Sequence, residues 1–282
     1  MITRILVPVD GSAEHETAVP VALSIAARIG AKVELVSIVS PGLDAANKAD
    51  LAAVAGHYGG GADVLVLTGG DVDQQLLDET RSEGTLVCMS SAGRGAVGEA
   101  LLGSVSAELV RRSPQPALLV GPDSGHELTG RRLAIAVDGS AQAETVIPHA
   151  IALADALGLE PWLYHVVSPE AAHVPDTAES AYVARTARAA WHARALNYDV
   201  LHDHHPQRAL IELSRNPDVA IVALTTHGAR PFERLFAGSV ALRLVHRANT
   251  PVLVFHPPIS TTRPLANSGP RVVVGIDESP KS

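Results

Sequence analysis

The chain has 282 residues, 46% of them hydrophobic but only 3% aromatic, and a formal charge of −8. That is about two domains of ordinary length, with cores that Ala, Val, Leu and Ile must fill. The acidic balance, the lack of a dense Lys/Arg run and the scarcity of rings for base stacking exclude nucleic acid as an expected partner. Cys88 is the only cysteine, so an intramolecular disulfide and a cysteine-based zinc site are excluded and a reducing cytoplasm fits. The first apolar run ends at Asp10, too short for a signal peptide, and no later run approaches ~18 apolar residues, so a soluble, membrane-free, cytoplasmic protein is expected.

In chain order, apolar runs alternate with stretches of helical period. The pattern predicts strand 4–9, helix 14–29, strand 32–39, a helix near 44–57, strand 63–67, helix 72–82, strand 85–90, helix 104–112 and strand 117–120. The same order then returns: strand 132–137, helix 143–157, strand 161–167, helix 178–196, strand 198–202, helix 206–215, strand 219–225, helix 239–247 and strand 252–255. Strands alternating with helices imply parallel βαβ units. Helical spacing puts Val19, Leu23, Ala26 and Ala27 on one face of the first helix, and Ile147, Ala150, Ile151 and Ala154 on one face of its counterpart.

The chain is therefore read as a repeat. ILVPVDGS at 5–12 returns as LAIAVDGS at 133–140, with the two aspartates offset by 128, while Gly93, Gly103, Ser104 and Pro116 pair with Gly228, Gly238, Ser239 and Pro251 at an offset of 135. The expected architecture is α/β: two tandem Rossmann-like domains, 1–121 and 131–257, each a five-stranded parallel sheet with helices on both faces. A short linker from Gly121 to Gly130 would let the two pack closely, related by a pseudo-twofold axis through their last strands. Residues 258–282 form a linker rich in Pro, Ser, Thr and Asn and an isolated strand, 271–279 (RVVVGIDES), resembling the start of a third repeat with its own Asp277.

Open parallel sheets bind ligands outside the carboxyl ends of their strands, where strand order reverses. Asp10 and Asp138 each end a first strand. Asp-Gly-Ser also reads simply as a turn with Ser12 or Ser140 capping the next helix. Gly93-Arg94-Gly95 and then Gly103-Ser104-Val105 follow the fourth strand and open a helix; glycines allow close backbone approach, and a helix start offers N–H donors to an anion. The second copy offers Thr225, Gly228-Ala229-Arg230 and Gly238-Ser239-Val240 at matching places, with the same nine-residue spacing. The plainer reading is a loop plus a helix cap; the recurrence in both copies favours a functional one.

These motifs resemble the universal stress protein family, whose ATP-binding members carry Gly, two residues, Gly, nine residues, then Gly and Ser or Thr. The pattern is met by Ser90, Gly93 and Gly103-Ser104, and by Thr225, Gly228 and Gly238-Ser239, and the similarity covers nearly all of 1–257. It implies ATP as ligand, with or without Mg. By position, it further implies that Pro8 and Ala136 lie beside the nucleotide with the aspartates, that Ile38 and Val166 flank adenine with Met89 in reach, and that Ser106 and Ala241 close the phosphate loop. Both copies depart from the pattern at its first glycine, Ser90 and Thr225. A hydroxyl residue weakens the site if that position needs positive φ and matters little if it needs only a donor.

Cys88 and Met89 also read as core, HDHHP at 202–206 as a solvated strand end rather than a metal site, and Arg111-Arg112 as a favourable helix C-terminus. The resemblance implies a nucleotide-dependent regulator of a stress or dormancy response, acting on an unidentified protein partner and able to form a homodimer. A scaffold of the same fold without nucleotide is the alternative. A weak ATPase is the third reading, set against the absence of Walker-type and kinase-type residues.

Overall fold

In a computed structural model, residues 2–10, 16–91, 102–169, 177–189, 196–226 and 239–257 are described. The first half runs β1 (Arg4–Pro8), α1 (Ala18–Ile29), β2 (Lys32–Val39), α2 (Asp44–His57), β3 (Ala62–Thr68), α3 (Val72–Thr80), β4 (Thr85–Ser90), α4 (Ser104–Arg112) and β5 (Ala117–Val120). The second runs β6 (Arg132–Val137), α5 (Ala141–Glu144), α6 (Ile147–Leu157), β7 (Glu160–Val167), α7 (Thr177–Ala189), β8 (Asn197–His202), α8 (Pro206–Ser214), β9 (Val219–Thr225), α9 (Ser239–Arg247) and β10 (Val252–Phe255). The element ends follow local chemistry. Gly30 and Gly158 close α1 and α6 in the left-handed conformation, Asp71 accepts from the Gln74 N–H to start α3, and Pro206 opens α8.

The helix expected over 143–157 is two helices, because Ser140 caps the short α5 and Pro148 restarts a separate turn in α6. The first helix also differs from its expected face. Ala18, Val19, Val21, Ala22, Ile25 and Ala26 are buried, Leu23 is half-buried and Ala27 is exposed. The sheet and α6 of the second half, which packs beside α1, widen the buried stripe beyond a single seam and rotate it away from Ala27.

Strands pair in the order β3-β2-β1-β4-β5-β10-β9-β6-β7-β8. Each half is parallel throughout, and β5 meets β10 antiparallel, Leu119 opposite Val252 and Ala117 opposite Val254. The two five-stranded sheets are thus halves of one mixed ten-stranded sheet, joined edge to edge through their last strands. Every residue of β5 and β10 is buried. Two apolar layers cover the sheet, one holding α1, α2, α6 and α7, the other α3, α4, α8 and α9.

The segment between the halves is fastened to both. The Gly121 N–H donates to Ser124 Oγ, which reaches the Ala248 carbonyl, and the Gly125 N–H donates to the Asn249 carbonyl. Further on, the Leu128 N–H donates to Ser24 Oγ at 3.1 Å, and the Arg28 guanidinium donates to the Leu128 carbonyl. The tail at 258–282 lies outside the described residues. At Gly121, a Cβ would collide with the Val245 carbonyl oxygen, a backbone atom that cannot swing aside. Gly121→Ala is therefore expected to destabilise the protein by about 1–3 kcal/mol, read as a lower urea midpoint; an unchanged midpoint would show that the seam has slack.

Candidate functional site

The order within each half puts the reversal of strand order between β1 and β4, and between β6 and β9, because β2 and β7 lie on the far side of the first strand of each half. The crevice expected of an open α/β sheet therefore lies where those strands end. In half one this brings together Pro8 at the end of β1 and Asp10 just after it, Ile38 near the end of β2, Met89 and Ser90 on β4, and the start of α4. In half two it brings together Ala136 and Asp138, Val166, Thr225, and the start of α9 with Val240 and buried Ala241. Gly93, Arg94 and Gly95, and Gly228, Ala229, Arg230 and Gly238, lie outside the described residues, as does the side chain of Ser239.

The missing first glycine has a structural answer. Among the described residues no non-glycine residue has positive φ, so neither Ser90 nor Thr225 occupies a conformation that only glycine tolerates. Ser90 is buried, and its hydroxyl pairs with Thr17 Oγ1 at 2.6 Å, just ahead of α1. The substitution costs no backbone strain and ties α1 to the end of β4.

Ser106 was expected to close the phosphate loop. It is buried in the first turn of α4 and donates to the Ser90 carbonyl at 3.1 Å. A hydroxyl has one proton to give, so this bond uses it to anchor the helix start to the strand end. The next residue extends the joint: the Ser91 N–H donates to the Val120 carbonyl, and the Ser91 carbonyl accepts from the Gly103 N–H. Gly103 precedes α4 without a side-chain cap, so the first N–H groups of that helix have no intrahelical acceptor. Ser104 stands exposed beside them. Ser91 Oγ is fully buried and has no hydrogen-bond partner among the described residues.

Half two repeats the joint with other side chains. The Thr226 N–H donates to the Phe255 carbonyl, as Ser91 does to Val120, and Thr226 Oγ1 pairs with His256 Nδ1 at 2.7 Å. Asp138 accepts from both the N–H and the hydroxyl of Ser140, whose Oγ in turn accepts from the Ala143 N–H. The turn-and-cap reading of Asp-Gly-Ser is what half two contains, and it holds the carboxylate at the end of β6. Across β7, His165 Nδ1 donates to the Val137 carbonyl at 2.8 Å, and its ring meets that of Tyr182. The Tyr182 hydroxyl donates to Glu144, and burial, with that carboxylate beside it, pushes the phenol up to about 12.

Thr17, Ser91, Tyr182, His165 and His256 were absent from the expected site. For two of them the repeat carried the signal: Glu16-Thr17 returns as Glu144-Thr145, and Ser91 returns as the hydroxyl residue Thr226. Cys88 lies in the core with its thiol pushed by burial up to about 12. His202, His204 and His205 are exposed and Asp203 is paired with Arg208; among the described residues no group of three or more side chains could hold a metal ion. Arg111 and Arg112 pair with Glu108. No helix among the described residues is long and apolar enough to cross a membrane.

A sequence profile described as the universal stress protein family matches residues 1–121 and again 130–256. The chain belongs to the universal stress protein family. A universal stress protein of Mycolicibacterium smegmatis is 27% identical over 199 residues, covering 66% of each chain, and one of Mycobacterium tuberculosis is 29% identical over 194 residues, covering 62% of this chain and 63% of its own. The chain thus spans just under two thirds of these relatives' length. A crystal structure of a universal stress protein from Archaeoglobus fulgidus superposes with a TM-score of 0.65 at 19% identity, over 90% of this chain and 98% of that one.

If Ser106 anchors α4 through the Ser90 carbonyl, Ser106→Ala should lower stability by about 1–2 kcal/mol, measured by urea unfolding, while Ala241→Ser should bring no comparable gain. Equal stability of Ser106→Ala and the natural chain would count against the anchor.

Proposed function

We propose that this tandem universal stress protein binds an adenine nucleotide, ATP in the first instance, at the switch point of each half, and that occupancy controls its contacts with a protein partner in a stress or dormancy response. The observation that carries the reading is the repeated joint at the ends of β4 and β9. In each half a strand ends in two consecutive hydroxyl residues beside an aspartate that ends the first strand, and a helix begins after the glycine-bearing loop. A helix start with unused N–H groups suits a phosphate. The buried hydroxyl of Ser91, without a hydrogen-bond partner among the described residues, is a further donor at the end of β4 in half one.

The residues that would hold the nucleotide in half one are Pro8, Asp10, Ile38 and Met89 on the base and ribose side, with the loop at Gly93-Arg94-Gly95 and the start of α4 at Gly103, Ser104 and Val105 on the phosphate side. In half two they are Ala136, Asp138 and Val166, with Gly228-Ala229-Arg230, Gly238, Ser239 and Val240. Bound ATP, with Mg where the phosphates need a counter-ion, supplies triphosphate charge to donors that otherwise face solvent. The chain's own part is to bind and orient it. The acidic Asp10 and Asp138 suit the sugar or base edge rather than the phosphates, which they would repel.

The halves are expected to differ in affinity. Half one has Gly95 in its sequence motif and the Ser106 anchor in the first turn of α4, whereas half two has Arg230 and Ala241 at the matching positions. The loss of backbone freedom at Arg230 and of the anchoring hydroxyl at Ala241 is expected to cost the equivalent of one hydrogen bond to the phosphates, which weakens binding by roughly tenfold or more. Calorimetric titration of ATP into Gly93→Val and Gly228→Val variants tests this. Loss of the tighter site in Gly93→Val, with that site retained in Gly228→Val, is expected; the reverse pattern overturns the ranking, and no binding to the natural chain favours the scaffold reading.

A further inference from the structure

The two outer strands of the sheet, β3 and β8, are unlike each other. β3 carries Ala62, Val64, Leu65, Val66 and Leu67, and none of its residues is fully buried. Alternation places Val64 and Val66 toward one apolar layer and Leu65 and Leu67 toward the other. The edge is therefore apolar on both faces, with Asp63 as its single charge. β8 reads Asn197, Tyr198, Asp199, Val200, Leu201 and His202, and the Asp199 carboxylate accepts from the N–H of Val200 at 2.9 Å. β8 is blunted by polar side chains and by a carboxylate on its own backbone. β3 is the kind of edge that soluble proteins cover.

We propose that residues 271–276 of the same chain add to β3 as an eleventh strand, parallel to it. The segment reads Arg271-Val272-Val273-Val274-Gly275-Ile276, a β-prone run after a Pro-, Ser- and Thr-rich stretch. Its direction follows from the seam. β10 runs antiparallel to β5 and so to β3, and the chain leaves Phe255 at the edge of the sheet where β3 begins. A strand carried along that edge enters beside β3 in the parallel sense without crossing a face of the sheet. The lane beyond β3 lies about 29 Å away at ~4.8 Å per strand. Residues 256–270 span up to about 50 Å when extended, which is ample. A path to β8 would instead cross the ends of β9, β6 and β7, where the second candidate crevice lies, and would reach the blunted edge.

Hydrogen exchange read by NMR on the full-length protein tests the pairing, comparing the natural chain with a Val272→Pro, Val274→Pro double variant whose tail cannot complete a ladder. In a parallel pair, alternate amides of β3 face the added strand. Those amides are expected to exchange about tenfold or more faster in the variant, with β8 and the central strands unchanged. Equal exchange at β3 in both proteins overturns the proposal, as does a change confined to β8. Protection of β3 that fades on dilution also overturns it, because the covering strand then comes from a second copy.

Discussion

The antiparallel pairing of β5 with β10 governs the layout of the molecule. Each half is a parallel sheet that would otherwise end on a four-residue strand made wholly of core residues, with its backbone donors and acceptors bare. Pairing the two edges satisfies both at once and fixes their relative direction. Because the strands of one half then run opposite to those of the other, their carboxyl ends lie on opposite edges of the common sheet, and the two candidate crevices face away from each other. The intervening segment must turn tightly against the α9–β10 junction, which explains why Gly121 has backbone where a side chain would be.

Much of this was legible in the chain. Buried parallel strands are continuous apolar runs, so VAIVALT at 219–225 and ALLV at 117–120 announced themselves, and the recurring VDGS placed each first strand and its aspartate. The meeting of the halves through their last strands was expected from the repeat, but that the contact is a ladder merging two sheets into one was hidden, because edge pairing is made by backbone groups that every residue carries. The rotation of the α1 face was hidden for a related reason. Which small residues face the core depends on what packs from the second half, and Ala18, Ala22, Ala26 and Ala27 are chemically alike.

At the candidate sites the motif located the region but not the job of each side chain. The sequence left open whether Ser90, in place of the motif's first glycine, weakens the site; it keeps an ordinary backbone conformation and pairs with Thr17. The motif gave Ser106 a place closing the phosphate loop but not its bond to the Ser90 carbonyl. Both residues contribute to holding the end of β4 against two helices, and under the proposed function a fixed strand end lowers the cost of ordering the ligand-binding residues that follow it. Half two reaches a similar end by other means. His256 supports Thr226, and the Tyr182, Glu144 and His165 group braces the β6 end, a cluster drawn from three elements whose assembly no local motif could disclose.

The central claim, that the ends of β1/β4 and of β6/β9 are nucleotide crevices, is tested most directly by native mass spectrometry of the full-length protein after gentle purification and again after incubation with ATP. The account predicts a mass increment of an adenine nucleotide on the chain, rising toward two per chain as ATP is added. A chain that carries no nucleotide as isolated and takes up none across the millimolar range would contradict it.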